Sequence, residues 1–419
     1  MSSSSPEIVI VGAGLSGLAC ARRLAKAGLR FTIHEASNGP GGRVRTDEVD
    51  GFRLDRGFQV FLPAYPMAKK MLDYDELDLK PFFRGADVFH AGAFRRLADP
   101  LHHPQQAFRR LRDSLVPWRD KWFALLLRKE VFGTKEVPRG MKEQTTEDFL
   151  RDYGFSDIFI DRFFRPFFGG IFTEKDLRTS SRMFVFLFAM FDRGGSALPA
   201  RGMQAIPDQM AAALPAGSIR YNSPVTSVSP GEVTLDSGEV IKAPHIVMAT
   251  SEDVAVRLLP HSGPTKVPSS RSLTCMYFTT DQPLRTDAIL CLDGDGRGPV
   301  NHACIMSNIS PDYAPPGQKL ICAAILGAPS STELESVVRE QMCQWFGPSA
   351  HHWRHLRTYQ IRNAQPEGRQ LHVGDQSPDP IIAPGLYRCG DYCEDVSING
   401  ALLSGDRAAK AVIAAIGQP

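Results

Sequence analysis

The residues with the clearest chemical purpose lie in the first sixty. Gly12-Ala13-Gly14-Leu15-Ser16-Gly17 is a GxGxxG, Glu35 follows eighteen residues after Gly17, and Gly41-Gly42-Arg43 begins six residues beyond the acid. Bare glycine backbone lets a pyrophosphate approach main-chain N–H groups, and a helix starting there adds a positive dipole. Gly12 permits the tight turn, Gly14 the approach of the phosphates, and Gly17 the close packing of helix on strand. Glu35, with Ala36 beside it, is placed to accept hydrogen bonds from ribose hydroxyls. Its charge repels a 2′-phosphate, which disfavours NADP. Gly41, Gly42 and Arg43 offer a second wrap of amide and guanidinium donors around the same pyrophosphate.

These residues need particular elements around them. Ile8-Val9-Ile10-Val11 reads as a buried parallel strand, and Leu18, Ala21, Leu24 and Ala25 recur at helical spacing up to Gly28. Phe31-Thr32-Ile33-His34 is a second strand delivering Glu35. Strand, helix, strand and terminal acid together are the context that a dinucleotide fingerprint demands.

With the Gly-Gly-Arg in place, the chain resembles the flavin-dependent amine oxidase, phytoene desaturase and protoporphyrinogen oxidase superfamily, where this element clamps FAD. The segment Gly57-Phe58-Gln59-Val60-Phe61-Leu62-Pro63-Ala64-Tyr65-Pro66 is similar to carotenoid desaturases of the plant type. Near the other end, Gly390-Asp391 and Ser397-Ile398-Asn399-Gly400-Ala401 extend the resemblance. It implies an Asp391 on the ribityl–pyrophosphate side and a helix through Ile416 aimed at the pyrimidine end of the isoalloxazine, with Gly400 and Ala401 leaving room for the ring. It also implies a meander whose Val225 meets the adenine through its backbone, and an Ala-Thr ending at Ala249-Thr250. The Gly390–Gly400 spacing is about three residues shorter than in the plant desaturases. The implied cofactor is non-covalent FAD, and Cys393, after the Gly-Asp turn, reads as structural.

The fold expected is α/β: a discontinuous Rossmann-like FAD-binding domain with an inserted α+β substrate domain and a helical cap. FAD-domain parts are expected at 1–62, 196–254 and 376–419, a mostly helical cap at 63–195 and a substrate sheet at 255–375. Short strands are expected at 219–221, 225–228, 232–235, 239–241 and 245–250, then near 272–279, 286–292, 300–307, 319–326 and 353–361, with a helix at 332–346. Gly294-Asp295-Gly296-Arg297-Gly298 follows a strand but opens no helix, so it reads as a turn.

Twelve of the 25 phenylalanines fall between Phe149 and Phe191, about a tenth of the chain. The run Phe163-Phe164-Arg165-Pro166-Phe167-Phe168-Gly169-Gly170-Ile171-Phe172 resembles the Pro-Phe…Gly-Gly-Ile signature of desaturase-like and protoporphyrinogen-oxidase-like members. Phe164, Phe167, Phe168, Phe172 and Tyr65 are candidates to line an apolar substrate cavity, against the plainer reading of a filled helical core.

Composition bounds the rest. The 419 residues carry 43% hydrophobic and 22% charged side chains and a net charge of +2. That composition suits a globular protein of two or three domains and shows no field calling for nucleic acid. The longest apolar run, Met183 to Phe191, is far short of a bilayer span. Eight scattered cysteines suggest free thiols in a reducing compartment: the cytoplasm, or a plastid stroma if a transit peptide was removed, but not secretion. His351, His352 and His355 lack further ligands nearby, so no metal site is expected. The basic stretch Phe108-Arg109-Arg110-Leu111-Arg112 with Trp118, Arg119, Lys121 and Trp122 suits either an anionic membrane surface or a solvated cap face. Pro117, Asp113 and Asp120 favour the second.

The activity expected is hydride transfer from an apolar substrate, isoprenoid or tetrapyrrole-like, onto flavin N5, with no catalytic acid or base assigned. Without a second nucleotide domain, electrons leave to oxygen, a quinone or a separate carrier. An amine oxidase is the first alternative, although Val396 and Ser397 stand where those enzymes tend to carry an aromatic cage residue. A redox-neutral flavin-bound isomerase or binding protein is the second. Oligomeric state is open.

Overall fold

The computed structural model describes residues 8–105, 115–259, 268–367 and 377–417. The β-branched run Ile8–Val11 has no polar face to turn to solvent, and all four residues are buried at the centre of a six-stranded sheet. The strand order is Ile381–Ala383, Leu386–Arg388, His245–Met248, Ile8–Val11, Phe31–His34, Ile219–Arg220. Every pair is parallel except the outermost, Ile381–Ala383 with Leu386–Arg388. Three separate stretches of chain therefore meet in one sheet.

Two helices lie together against it. Leu15–Lys26 leaves the first strand and packs on the last helix, Ile398–Ile416. Their approach is close: a Cβ on Gly405 would stand 2.1 Å from the carbonyl oxygen of Ser16. A small antiparallel sheet, Val225–Ser229, Glu232–Leu235 and Val240–Lys242, precedes the His245–Met248 strand.

A second, seven-stranded sheet runs Arg354–Pro366, Ser270–Thr280, Lys319–Leu326, Val300–Ile305, Leu290–Asp293, Gly85–His90, Ala93–Ala98. Its strands alternate cleanly. Cys275, Tyr277, Cys304, Cys322 and Ala324 face the main core, while Met276, Phe278, Ile305, Ile321 and Ala323 face the helix Leu334–Phe346. The last two strands come from within 63–195, whose regular structure is otherwise mostly helical. The hairpin Gly85–His90/Ala93–Ala98 joins this sheet by a parallel pairing with Leu290–Asp293. Its alternation is weak, with only Ala86, Asp87, Val88 and Phe89 buried, so periodicity hid it.

Helices Trp118–Val131, Thr146–Tyr153, Arg165–Phe172 and Ser181–Gly194 complete that region. Residues 160–164 form a π-turn directly before Arg165–Phe172. Pro166 follows that π-turn inside a continuous helix, so its missing N–H falls where the hydrogen-bond register changes. Among the described residues no helix is long and apolar enough to cross a membrane.

Candidate functional site: two glycine loops closed by an ion pair

Gly12 holds φ +104°, and a Cβ there would sit 2.8 Å from the carbonyl oxygen of Ala249, so the tight turn fits glycine alone. At Gly17 a Cβ would stand 2.1 Å from the carbonyl oxygen of Gly12, which is the close helix–strand packing expected of it. Gly14 is different. A Cβ there meets nothing within 4 Å, so this glycine faces open space. Gly14 is also the N-cap of Leu15–Lys26. Leu15, Ser16 and Gly17 thus begin a helix that has no acid of its own in the first turn and no side-chain cap.

The second glycine loop lies against the first. Gly41 forms an isolated parallel bridge with Gly14, and its N–H donates to the carbonyl of Ala13 at 2.8 Å. Gly42 is exposed with φ +59°, and its nearest neighbour would be the Gly14 Cα. Glu35 ties the loops together: its carboxylate accepts from the Ala13 N–H at 2.7 Å and from the Ser37 N–H at 2.9 Å. Ala36 is exposed beside it. Ala249 and Thr250 flank Gly12, and half-buried Val225 opens the small sheet.

Arg43 crosses to the far end of the chain. Its guanidinium donates to Asp391 at 2.6 Å and to the carbonyl of Ala364 at 3.2 Å. Gln59 holds the Arg43 main chain by donating to its carbonyl at 2.8 Å. Gly57 has φ +96°, and the Phe58 N–H donates to Cys275 on the seven-stranded sheet. Gly390 donates to Ser404 of the last helix at 2.7 Å. Residues nearly 350 apart in sequence thus converge on one cradle.

The start of the last helix is tightly built. Ser397 is its N-cap and accepts from the Gly400 N–H at 3.2 Å. A Cβ on Gly400 would collide with the Asp395 carbonyl oxygen, so that main chain requires glycine there. Ile398 and Ala401 are half-buried, and Asn399 accepts from the Met67 N–H at 3.0 Å. Asp395 escaped the sequence reading. It is buried, accepts from Asn399, Gly400 and Ser397, and burial pushes its carboxyl up to about 6. Its signal was an acid two residues ahead of a helix N-cap. Tyr65 lies buried near it, its phenol pushed upward by burial and by the Asp395 charge.

The phenylalanines divide into two sets. Phe164, Phe168 and Phe172 are no more than 2% exposed and pack against one another, with Phe184 meeting Phe164 and Phe168. They are core, which corrects their place among the cavity candidates. Phe167 is half-buried on the other face of its helix with Phe163, Gly170 and Ile171, and meets Phe191 at 5.2 Å. Spacing alone could not separate the faces, because apolar residues cover the helix almost all round.

Other signals resolve simply. All eight cysteines are free, and burial pushes the Cys393 thiol up to about 12, against a reactive thiolate. His351 and His352 are exposed, while His355 contacts Thr358 and Glu335. Phe108 to Arg112 lie outside the described residues. In the adjoining helix, Asp120 points inward and accepts from Ser156, and Pro117 caps the helix instead of interrupting it. Trp118 and Phe132 are 79% and 74% exposed, with Trp122 and Leu125 exposed between them. Two of the arguments for a solvated face therefore fail, and the third, Asp113, lies outside the described residues.

A profile of flavin-containing amine oxidoreductases matches residues 15–413. The chain belongs to that family. It is 29% identical over 316 residues to a phytoene dehydrogenase of Streptomyces griseus, covering 66% of this chain and 61% of that one. It is 27% identical over 169 residues to protoporphyrinogen oxidase 2 of Arabidopsis thaliana, 40% of this chain and 32% of the relative. The chain thus matches about three-fifths of the first relative's length and a third of the second's. Among solved structures, a redesigned putrescine oxidase superposes with TM-score 0.73 at 20% identity, over 98% of this chain and 99% of that one. A Methanosarcina mazei oxidoreductase gives 0.72 at 19% identity, over 97% and 99%. The fold is shared with these two solved structures. At the site the chain offers an uncapped helix start, a glycine facing open space and a second glycine loop beside it.

Proposed function

We propose that the chain is an FAD-dependent oxidoreductase that oxidises an apolar substrate, an isoprenoid such as a carotenoid or a tetrapyrrole-like molecule. The observation that carries the FAD assignment is the pairing of two glycine loops, Gly12–Gly17 and Gly41–Gly42, closed by Arg43 on Asp391. In this reading the discontinuous sheet and its two helices form the FAD-binding domain, and the seven-stranded sheet with the helices covers the substrate. Leu15, Ser16, Gly17 and Gly42 present amides to the pyrophosphate, Glu35 takes the ribose hydroxyls, and Arg43 adds positive charge.

Bound there non-covalently, the flavin supplies the two-electron acceptor. The chain's own contribution is positional. The Ser397-capped start of the last helix directs its dipole into the site. The half-buried face of Phe163, Phe167 and Ile171 excludes water and binds apolar surface. The exposed face Trp118, Trp122, Leu125 and Phe132, with Arg119, Lys121 and Lys129 along it, suits an anionic membrane surface from which such a substrate is drawn. Oxygen, a quinone or a separate carrier then takes the electrons.

The test is an anaerobic screen of isoprenoids, porphyrinogens and amines against the purified yellow protein, following flavin bleaching. Bleaching by an apolar compound is expected. Rapid bleaching by a simple amine alone would give the amine oxidase reading instead. Protein that carries no FAD when released by heat or acid would end both.

A further inference from the structure

His302 sits on the core-facing side of the seven-stranded sheet, between Phe58 and the Gly169-Gly170 step of the phenylalanine-rich helix. Its ring lies 4.6 Å from that of Phe58, edge to face. It is 3% exposed, and burial pulls its pKa down to about 4, so the imidazole is neutral at ordinary pH. Asn301 fixes which nitrogen carries the proton. The Asn301 amide nitrogen donates to the carbonyl of Pro166 at 2.8 Å and lies 2.9 Å from His302 Nδ1. A carbonyl only accepts, so the amide turns its NH2 inward and its second hydrogen goes to Nδ1. The proton of the neutral ring is then on Nε2. Among the described residues, that buried Nε2 has no hydrogen-bond partner.

An unpaired buried donor is costly, and the surrounding chain makes room for the ring that carries it. A Cβ on Gly170 would stand 2.9 Å from both Cε1 and Nδ1 of the ring. The second glycine of the Gly-Gly pair is therefore a seat for this imidazole. Of the other groups on that side of the sheet, Cys275, Cys304, Cys322 and Ala324 are small and weakly polar at most, and the Tyr277 hydroxyl is already spent on the main-chain carbonyl of Asp55. His302 is the strong donor within an apolar wall that adjoins Phe58 and the Phe163–Ile171 face.

We infer that His302 is a substrate-positioning residue, presenting Nε2–H to a single oxygen acceptor on an otherwise apolar substrate. This rests on the apolar-substrate reading above and narrows it: the substrate class is an oxygenated isoprenoid or a similarly oxygen-bearing apolar molecule, not a pure hydrocarbon. No bond is made or broken by His302. It fixes where along the chain the substrate stops, because sliding past would leave Nε2–H unpaired again.

The probes are farnesol and the hydrocarbon β-farnesene, alike in size and differing in one hydroxyl. Binding is read by tryptophan fluorescence on FAD-loaded protein, with FAD content and circular dichroism checked in each preparation. Wild type is expected to bind farnesol at least ten-fold more tightly than β-farnesene. H302F should erase the difference by losing farnesol affinity alone, and H302Q should restore part of it. G170A should also reduce the preference while His302 remains. In protein labelled with ¹⁵N-histidine, one Nε2 resonance should move with farnesol and stay put with β-farnesene, between pH 6 and 8 alike. Equal affinity for the two probes, binding of neither, or a preference that survives H302F overturns the inference. Absence of bound FAD would defeat the oxidoreductase reading separately, since the probe comparison does not depend on turnover.

Discussion

The two ends of the cradle and the wall above it are built on different principles. In the six-stranded sheet, main-chain geometry decides identity: Gly12, Gly17 and Gly400 are glycine because a carbonyl oxygen occupies the place of a Cβ. In the seven-stranded sheet and its phenylalanine-rich cover, side-chain packing decides, and one helix carries core on one face and a half-open wall on the other. Backbone constraints are local and absolute. Packing constraints are distributed and negotiable, so the first region tolerates least and announces most.

The sharpest break of that comparison is a pair of glycine variants. Gly17→Val should fail to give folded protein, because its side chain meets the Gly12 carbonyl and the Ala249 side chain. Gly14→Val should fold, since its Cβ enters open space, yet lose FAD. Circular dichroism with heat-released flavin separates the two. Loss of folding in both would mean that Gly14 is structural as well.

Next in size is a pair of phenylalanine variants. Phe168→Ala leaves a core cavity and should cost about 3–5 kcal/mol in denaturant unfolding. Phe167→Ala should cost clearly less stability. Losing about 2 kcal/mol of apolar burial, it should weaken binding of an apolar substrate ten-fold or more. Equal destabilisation by both would merge the two faces.

A third measurement probes the seam between regions. Asp55 is wholly buried where the Thr46 hydroxyl, the Met203 N–H and the Tyr313 hydroxyl donate to its carboxylate. Burial nonetheless raises its pKa from 3.8 to about 6. The folded state then holds a proton that the unfolded chain has released. Stability should fall as pH rises from about 4 to about 6 and level off above, by on the order of 2–3 kcal/mol from this group. Asp395, raised the same way, adds to the slope. Asp55→Asn should flatten Asp55's share of the decline, and an unchanged curve would show that its charge is solvated by its donors.

Smallest in stability is Trp118→Ala with Trp122→Ala, expected within about 0.5 kcal/mol of wild type because both rings are exposed. Sedimentation with anionic vesicles should nevertheless drop, and unchanged sedimentation would return this face to solvent.

Legibility followed the same divide. The strand at residues 8–11, the acid at 35, the glycine pair and the last helix were readable because each rule spans a few neighbouring residues. The hairpin at 85–98 was not, since its strands are half-exposed and lack alternation. Asp391 was placed at the cofactor by resemblance, but its partnership with Arg43 needed the fold. His302 carried no signal at all, because a single histidine in a strand becomes informative only once its nitrogens are counted against their partners.

The interleaved sheet has a consequence for birth on the ribosome. Ile8–Val11 pairs with His245–Met248, which pairs in turn with Leu386–Arg388. At roughly 5–20 residues per second, the first strand waits on the order of 20–80 s for the last one to be translated. Until His245–Met248 has been made, a run of four β-branched residues has only Phe31–His34 to pair with. The opening segment is therefore an aggregation hazard on the ribosome, and the cradle, which needs Asp391, is complete only after nearly the whole chain exists.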